Sequence, residues 1–116
     1  MAEAVVEAKQ DSLRLGLTST IVGHVGDGNF HCGVGVDPDN AGELARVEEF
    51  TDNLCKLALR LGGTVTGEHG IGVGKIKFMA AEHGPAVAFM RAVKTALDPN
   101  NIMNPGKIFP AVDAQR

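Results

Sequence analysis

The dipeptide Asp27-Gly28, which lies between two runs of β-forming residues, constrains the fold of this chain more than any other feature. Asp-Gly in this setting is a strong signal for a β-hairpin and favours a two-residue type I′ turn. A turn at this dipeptide places His24 directly opposite His31, with both side chains on one face of the hairpin. If the connection is instead a longer glycine-rich loop, the two histidines still flank it closely. The sequence therefore predicts that two imidazoles meet at one end of a hairpin.

Glu68 is the natural third member of such a group. It lies in the glycine-bracketed segment Gly67-Glu68-His69-Gly70, directly after the β-branched run Thr64 to Thr66. Two neutral imidazoles and one carboxylate suit Zn²⁺, Mn²⁺ or Fe²⁺, and three protein ligands leave positions open for water or substrate. The alternative is that these are polar residues on a solvated hairpin and a glycine loop. Because three suitable side chains occur in this context, we expect a metal site with open coordination.

His69 follows Glu68 directly and is a candidate for proton transfer. Adjacent side chains of an extended segment diverge, so His69 is not expected to bind the same ion as Glu68. An imidazole with an ordinary pKa of about 6.5 is suited to accept a proton near neutral pH. The alternative is an exposed loop histidine. His83, just before Gly84, is predicted only to end a helix.

The pattern of apolar residues and breakers predicts helices and short strands. One helix is expected from Ala2 to Leu15, ended by Gly16, and a long one follows the N-cap Asn40, with Glu43 three residues later. Gly62-Gly63 ends the long helix. Its core positions recur at helical spacing and comprise Leu44, Val47, Leu54, Leu57 and Leu61.

The remaining elements complete an α+β pattern. Strands are predicted at Thr18 to Val25, Phe30 to Val36 and Thr64 to Thr66, and helices near Lys75 to Glu82 and at Pro85 to Leu97. Pro85 takes a favoured first-turn position, and Asp98-Pro99 stops the last helix. This order predicts a small antiparallel sheet with helices packed on one face.

Composition excludes several classes of protein. The hydrophobic share of 44% and charged share of 22% are typical of a folded globular domain. The net charge is −3 and the basic residues are scattered, so a nucleic-acid partner is not expected. No apolar run has membrane-spanning length, and the first ten residues lack the regions of a signal peptide. Cys32 and Cys55 are isolated thiols that are expected to act as small buried hydrophobes.

Four motifs in sequence order resemble one known family. They are Gly-His-Val-Gly-Asp-Gly-Asn-Phe-His from Gly23, Gly-Glu-His-Gly-Ile-Gly from Gly67, Leu-Asp-Pro from Leu97 and Met-Asn-Pro-Gly-Lys from Met103. Together they resemble the C-terminal part of the FAD-linked D-2-hydroxyacid dehydrogenases. This family includes D-lactate dehydrogenase of the cytochrome type, the flavin subunit of glycolate oxidase and D-2-hydroxyglutarate dehydrogenase. The resemblance extends from Val5 to Phe109.

The resemblance implies a function and a role for each matching residue. It implies oxidation of a small D-2-hydroxy acid, with D-lactate first, to the 2-oxo acid with hydride transfer to FAD. His24, His31 and Glu68 match the family's ligands for a divalent metal, Zn²⁺ or Mn²⁺. His69 matches its catalytic histidine. Asn29 and Asn104 fall where contacts to substrate or flavin are expected.

The resemblance also implies a domain organisation and a set of partners. The family holds FAD mainly in an N-terminal domain, which this chain lacks. Residues 1–110 are therefore expected to be the C-terminal portion of the substrate domain, followed by a tail at residues 111–116. The chain alone is expected to be inactive. Implied partners are the 2-hydroxy acid, the missing FAD-binding domain, an electron acceptor (cytochrome, quinone or electron-transfer flavoprotein) and a second copy of the chain. The implied location is the bacterial cytoplasm or the mitochondrion.

Two other function classes stay open on the sequence. A free-standing metal-dependent hydrolase or lyase would also use two histidines and a glutamate to activate water, and it predicts metal-dependent activity without flavin. A non-catalytic module that self-associates through a former domain interface predicts an oligomer without activity.

Overall fold

The computed structural model describes residues 1–109, with only the backbone of Val25 included. Four α-helices and a two-stranded antiparallel sheet in this part of the chain confirm the predicted α+β class. The predicted tail at residues 111–116 lies outside the described residues. The elements are α1 (Ala2–Arg14), β1 (Ser19–His24), β2 (Asn29–Val34), α2 (Ala41–Arg60), α3 (Met79–His83) and α4 (Ala86–Leu97).

The chain divides after Glu68 into two compact units. The first unit contains α1, the β1–β2 hairpin and α2, and the second, which begins at His69, contains α3 and α4. Within residues 1–109, none of the helices combines the length and the apolar character needed to cross a membrane.

The two long helices of the first unit begin and end where the sequence predicts. Gly16 follows α1 with a φ of +66° and Gly62 follows α2 with a φ of +75°. After Gly16, the Leu17 N–H donates to the Ser12 carbonyl at 2.8 Å, which completes a Schellman motif. At the start of α2, the Asn40 side chain accepts a hydrogen bond from the Glu43 N–H. Local capping chemistry therefore sets these helix ends.

The core of the first unit forms between α1, α2 and the hairpin. Its buried residues are Leu15, Leu17 and Phe50, and the half-buried side chains packed against them are Cys32, Val34, Val47 and Leu54. Leu57 is also buried, as predicted, whereas the prediction was wrong for Leu44 and Leu61, which are exposed. Those two residues lie in the first turn and at the C-cap of α2, outside the span of residues 47–57 that packs into the core.

The register of the hairpin differs from the predicted one. Residues Val25–Asp27 form a 3₁₀ turn, and Gly28 follows with a φ of +72°, so the connection is longer than two residues. His24 therefore pairs with Asn29, and His31 pairs with Val22. The prediction that His24 lies directly opposite His31 was wrong. The pairing is shifted by two residues, and an even shift leaves every side chain on its predicted face.

The two faces of the hairpin have different surroundings. Cys32 and Val34 point to the face that packs against the helical core. His24 and His31 lie on the opposite face together with Asn29 and Val22, because strand side chains alternate. Within the first unit, the helical core packs on one face of the hairpin, and the histidines lie on the opposite face.

The predicted third strand at Thr64 to Thr66 is not formed. The Thr66 N–H donates to Thr64 Oγ1 at 3.2 Å, and the Thr66 hydroxyl donates to the Gly67 carbonyl at 2.9 Å. Hydrogen bonds from threonine side chains to the nearby backbone compete with strand pairing. These residues therefore form a bend that leads to Glu68.

The second unit contains short helical segments. The helix predicted near Lys75 to Glu82 is a 3₁₀ turn at Ile76–Phe78 that continues as α3. Helix α4 matches the prediction to Leu97, although Pro85 is its N-cap rather than a first-turn residue. His83 ends α3 just before Gly84, as predicted.

A buried carboxylate organises the loop that follows α4. Asp98 accepts hydrogen bonds from the N–H groups of Ile102 at 3.0 Å and Met103 at 2.9 Å. It also forms an ion pair with Lys94, whose ammonium donates to the Met103 carbonyl at 2.7 Å. The Lys94 hydrogen bond, followed by those from Met103 and Ile102, lowers the pKa of Asp98 against the opposing effect of burial. Asp98 therefore ends α4, as predicted, and orders residues 98–103.

Candidate metal centre

The hairpin brings the two predicted imidazoles together although its register was not the predicted one. In the observed pairing His31 lies opposite Val22, and His24 lies two residues further along the same face. Such diagonal neighbours are within reach of large side chains. The two ring centroids are 6.1 Å apart and the ring planes are nearly perpendicular, at 83°. Both rings can therefore direct a nitrogen to a common point between them.

Glu68 reaches the same point from the end of the first unit. Its Oε1 lies 3.4 Å from Nε2 of His31, and its Oε2 lies 3.8 Å from Nε2 of His24. One possible ligand atom from each of the three residues lies within 4.8 Å of the other two. The structure thus brings together the three predicted metal ligands, although Glu68 is 37 and 44 residues from the two histidines in sequence.

The donor set fits a divalent transition-metal ion. A tetrahedral ion with bonds of about 2.1 Å holds its ligand atoms about 3.4 Å apart. The separation of 3.4 Å between Nε2 of His31 and Oε1 of Glu68 matches that spacing, and all three ligand atoms lie within 4.8 Å of one another. Imidazole and carboxylate ligands are typical of zinc and manganese sites. Three protein ligands leave coordination positions for a further molecule.

The group is accessible from solvent. The exposed fractions of the side chains are 60% for His24, 36% for His31 and 48% for Glu68. Polar contacts between side chains this exposed contribute little to the stability of the fold. The accessible arrangement suits the binding of an ion together with a small molecule.

Asn29 is a fourth polar residue at this site. It begins β2, pairs with His24 and lies on the same face as the histidines. Its Nδ2 donates a hydrogen bond of 3.1 Å to Oε2 of Glu68. The resemblance predicts a contact of Asn29 with substrate or flavin, but nothing in the sequence indicated this link to Glu68, which is 39 residues away.

Gly23 has a structural role that the motif alone did not reveal. A Cβ at this position would lie 2.5 Å from the Asn29 carbonyl oxygen and 2.7 Å from Cα of Phe30. Both distances are far below normal contact, and both neighbours are backbone atoms. A glycine inside a strand can mark such a close backbone approach. Gly23 therefore lets β1 and β2 pair tightly beside His24.

The remaining predicted site residues lie in the second unit. His69, the predicted base, is its first residue and is exposed in a turn. Asn104 lies in the loop after α4 and has a φ of +47°. Neither residue belongs to the group of potential ligands, which within the described residues comprises His24, His31 and Glu68.

The prediction that both cysteines are buried is confirmed for Cys55, whereas Cys32 is half-buried. Cys55 is buried in α2, and Cys32 packs against the core from the face opposite His31. Burial raises the pKa of the Cys32 thiol, so it stays protonated near neutral pH. Within the described residues neither cysteine forms a disulfide.

Comparison with known proteins identifies the family. The chain matches the family described as FAD linked oxidases, C-terminal domain, over residues 1–108. It is 48% identical over 110 residues to a protein of Danio rerio named probable D-lactate dehydrogenase, mitochondrial, an alignment that covers 94% of the chain and 22% of the relative.

Two further relatives support the same family assignment. The Arabidopsis thaliana protein named D-lactate dehydrogenase [cytochrome], mitochondrial, is 40% identical over 111 residues, which cover 95% of the chain and 20% of the relative. The Bacillus subtilis glycolate oxidase subunit GlcD is 43% identical over 95 residues, which cover 81% of the chain and 20% of the relative. The chain thus spans about a fifth of the length of these relatives. Because the family match covers nearly the whole chain and these relatives agree with it, the chain belongs to the FAD-linked oxidase C-terminal domain family.

Proposed function

We propose that this chain is the substrate-binding and metal-binding C-terminal part of an FAD-dependent enzyme that oxidises a small D-2-hydroxy acid to the 2-oxo acid. The observation that carries the proposal is the convergence of His24, His31 and Glu68 within 4.8 Å in a chain of this family. D-Lactate is the first candidate substrate, because the relatives in Danio rerio and Arabidopsis thaliana are named D-lactate dehydrogenases. Glycolate and D-2-hydroxyglutarate follow.

The three ligands would bind Zn²⁺ or Mn²⁺ and leave positions for the oxygens of the substrate. A bound ion would act as a Lewis acid on the 2-hydroxyl, and FAD would accept the hydride from the α-carbon. The imidazoles of His24 and His31 must be neutral at the nitrogens that bind the ion. The carboxylate of Glu68 adds a negative charge that favours a divalent cation.

His69 is proposed to accept the hydroxyl proton of the substrate on an imidazole nitrogen. It follows the metal ligand Glu68 directly in sequence and is exposed. An imidazole can accept this proton near neutral pH and release it to solvent afterwards. Asn29 and Asn104 are proposed to contact substrate or flavin.

The partners of this part follow from the same proposal. FAD would be held mainly by a separate FAD-binding domain, which would be the principal partner. Reduced flavin needs an electron acceptor, for which a cytochrome, a quinone or an electron-transfer flavoprotein is proposed. The printed names of two relatives include the word mitochondrial, and the third is bacterial. We extend a mitochondrial or bacterial cytoplasmic location to this chain as part of the proposal.

Reconstitution tests this function. The chain is combined with a separately expressed FAD-binding domain of the family and Zn²⁺ or Mn²⁺, and bleaching of the flavin by D-lactate is measured. Wild-type chain is expected to support bleaching, and His69→Ala is expected to abolish it while flavin stays bound. His83→Ala, which removes the histidine at the end of α3, serves as the matched control and is expected to retain activity.

Three results would contradict parts of the proposal. No bleaching with the wild-type chain contradicts the assigned function. Bleaching by His69→Ala at the wild-type rate removes the proton-accepting role of His69. Metal-dependent hydrolysis by the chain without flavin would favour the hydrolase class instead.

A further inference from the structure

Asn29 is anchored more firmly than the ligand it contacts. It is the first residue of β2 and pairs with His24 in the ladder, so the hairpin fixes its backbone beside both histidines. Glu68 lies in a turn, outside every helix and strand of the described chain, and its side chain is half exposed. Fixing a long exposed side chain costs conformational entropy. A contact from the rigid hairpin is therefore suited to orient Glu68.

We propose that Asn29 is a positioning residue of the metal centre, which binds Glu68 through one oxygen so that the other is presented to the ion. This inference rests on the proposed metal centre and deepens it. The amide nitrogen Nδ2 lies 3.1 Å from Oε2 of Glu68, and Oε1 lies 3.4 Å from Nε2 of His31. The carboxylate accepts only, so the amide must donate, which fixes the orientation of the Asn29 side chain.

The chemistry of the amide suits this task. A neutral donor satisfies one carboxylate oxygen without cancelling the negative charge that attracts the cation. A lysine in this place would repel the ion, and an aspartate would repel Glu68. An oxygen engaged by the amide also favours coordination through a single oxygen, which leaves more positions for substrate. Outer partners of this kind typically contribute about 10-fold to 100-fold to metal affinity.

Calorimetric titration of the metal-free chain with Zn²⁺ and with Mn²⁺ tests the inference. The variants are Asn29→Ala, Glu68→Ala and the double variant. Asn29→Ala is expected to weaken binding about 10-fold or more. If Asn29 acts through Glu68, it has nothing to orient once the carboxylate is gone. The double variant should then bind like Glu68→Ala, which a purely structural role of Asn29 would not produce.

The first unit offers a matched control. Asn53 on α2 donates to Oδ2 of Asp11 on α1 at 3.0 Å, an asparagine–carboxylate contact of the same kind in the same unit. Asn53→Ala is expected to leave metal affinity unchanged. Asn29→Leu keeps a similar side-chain size but has no donor, so it is expected to lose metal affinity as Asn29→Ala does. Circular dichroism in the presence of a chelator establishes that each variant is folded.

The outcomes separate this inference from the proposed function. Wild-type affinity in Asn29→Ala or Asn29→Leu overturns the positioning role while the metal centre stands. A further loss caused by Asn29→Ala in the Glu68→Ala background shows that Asn29 does not act through Glu68 and also overturns it. If the wild-type chain binds neither ion, or binds as well after His24→Ala/His31→Ala, the metal centre itself is contradicted and the inference fails with it.

Discussion

The two units of the chain differ in what their apolar side chains do. The first unit buries Leu15, Leu17 and Phe50 in a core shared by two helices and the hairpin. In the second unit, α4 has no buried residue, and Phe89 and Leu97 are 78% and 77% exposed. Phe89, Val93 and Leu97 lie four residues apart, so they form an exposed apolar stripe along one side of α4.

This difference bears on the position of the candidate metal ligands. His24, His31 and Glu68 all belong to the first unit, and two of them stand on a hairpin whose other face packs against the core. Ligands on a well-packed element keep their geometry without a partner. The exposed stripe of α4 contributes no buried side chain to a core within the described residues. We therefore expect metal binding to depend on the core of the first unit and to be insensitive to the α4 stripe.

The largest expected effect comes from the core of the first unit. Phe50 is 2% exposed, so Phe50→Ala should lower the free energy of unfolding by about 3–5 kcal/mol through lost burial and the cavity left behind. The matched variant Phe89→Ala removes the same side chain from the exposed stripe of α4 and should change it by no more than about 0.5 kcal/mol. Urea unfolding followed by circular dichroism measures both. Equal losses would remove the distinction between the units.

A smaller effect is expected at the hairpin. In Gly23→Ala the new methyl would meet the backbone of Asn29 and Phe30, so the strands must shift. We expect a loss of about 1–3 kcal/mol, as for other overpacked positions, together with weaker Zn²⁺ binding. Gly26→Ala is the control, because a Cβ there has no heavy atom within 4 Å and no positive φ to oppose it. Unfolding and calorimetric titration measure the two quantities. Wild-type Zn²⁺ affinity in Gly23→Ala would show that metal binding does not depend on the close pairing of the two strands at Gly23.

The smallest effect is expected in the second unit and depends on pH. The hydrogen bond from Lys94, together with those from Met103 and Ile102, lowers the pKa of Asp98 in the folded protein. The unfolded chain therefore binds more protons between the folded and unfolded pKa values, and stability rises with pH there. The contribution is complete above the usual aspartate pKa of about 3.9 and is lost as the pH falls through the folded pKa.

Thermal melts of wild type and Asp98→Asn from neutral to acidic pH test this dependence. The variant has no carboxylate to titrate at this position. The wild type should be the more stable protein at neutral pH, and the gap should narrow as the pH falls below the usual aspartate pKa. A gap that does not change with pH would show that the carboxylate charge of Asp98 does not stabilise the loop.

Features set by local chemistry could be predicted from the sequence. The N-cap Asn40 and the glycines after α1 and α2 fixed the ends of both helices, since capping depends on a few neighbouring residues. The prediction of a third strand was wrong because the threonine hydroxyls form hydrogen bonds with the nearby backbone. Strand propensity does not include this competition.

The candidate site was predictable only in part. The prediction that His24 and His31 share a face was correct although the predicted register was wrong. The observed pairing differs by two residues, and side chains alternate with a period of two. The contact between Asn29 and Glu68 could not be predicted, since it joins a strand to a turn 39 residues away and leaves no periodic pattern. The close approach at Gly23 likewise depends on a register that the turn motif did not specify.

The most direct test of the metal centre is a titration of the chain with Zn²⁺ followed by the NMR signals of its imidazole nitrogens. The chain contains four histidines, so it carries its own controls. The proposed metal centre predicts that the signals of His24 and His31 shift together and saturate at one equivalent, while those of His83, at the end of α3, do not change. No shift at His24 and His31, or an equal shift at His83, would contradict it.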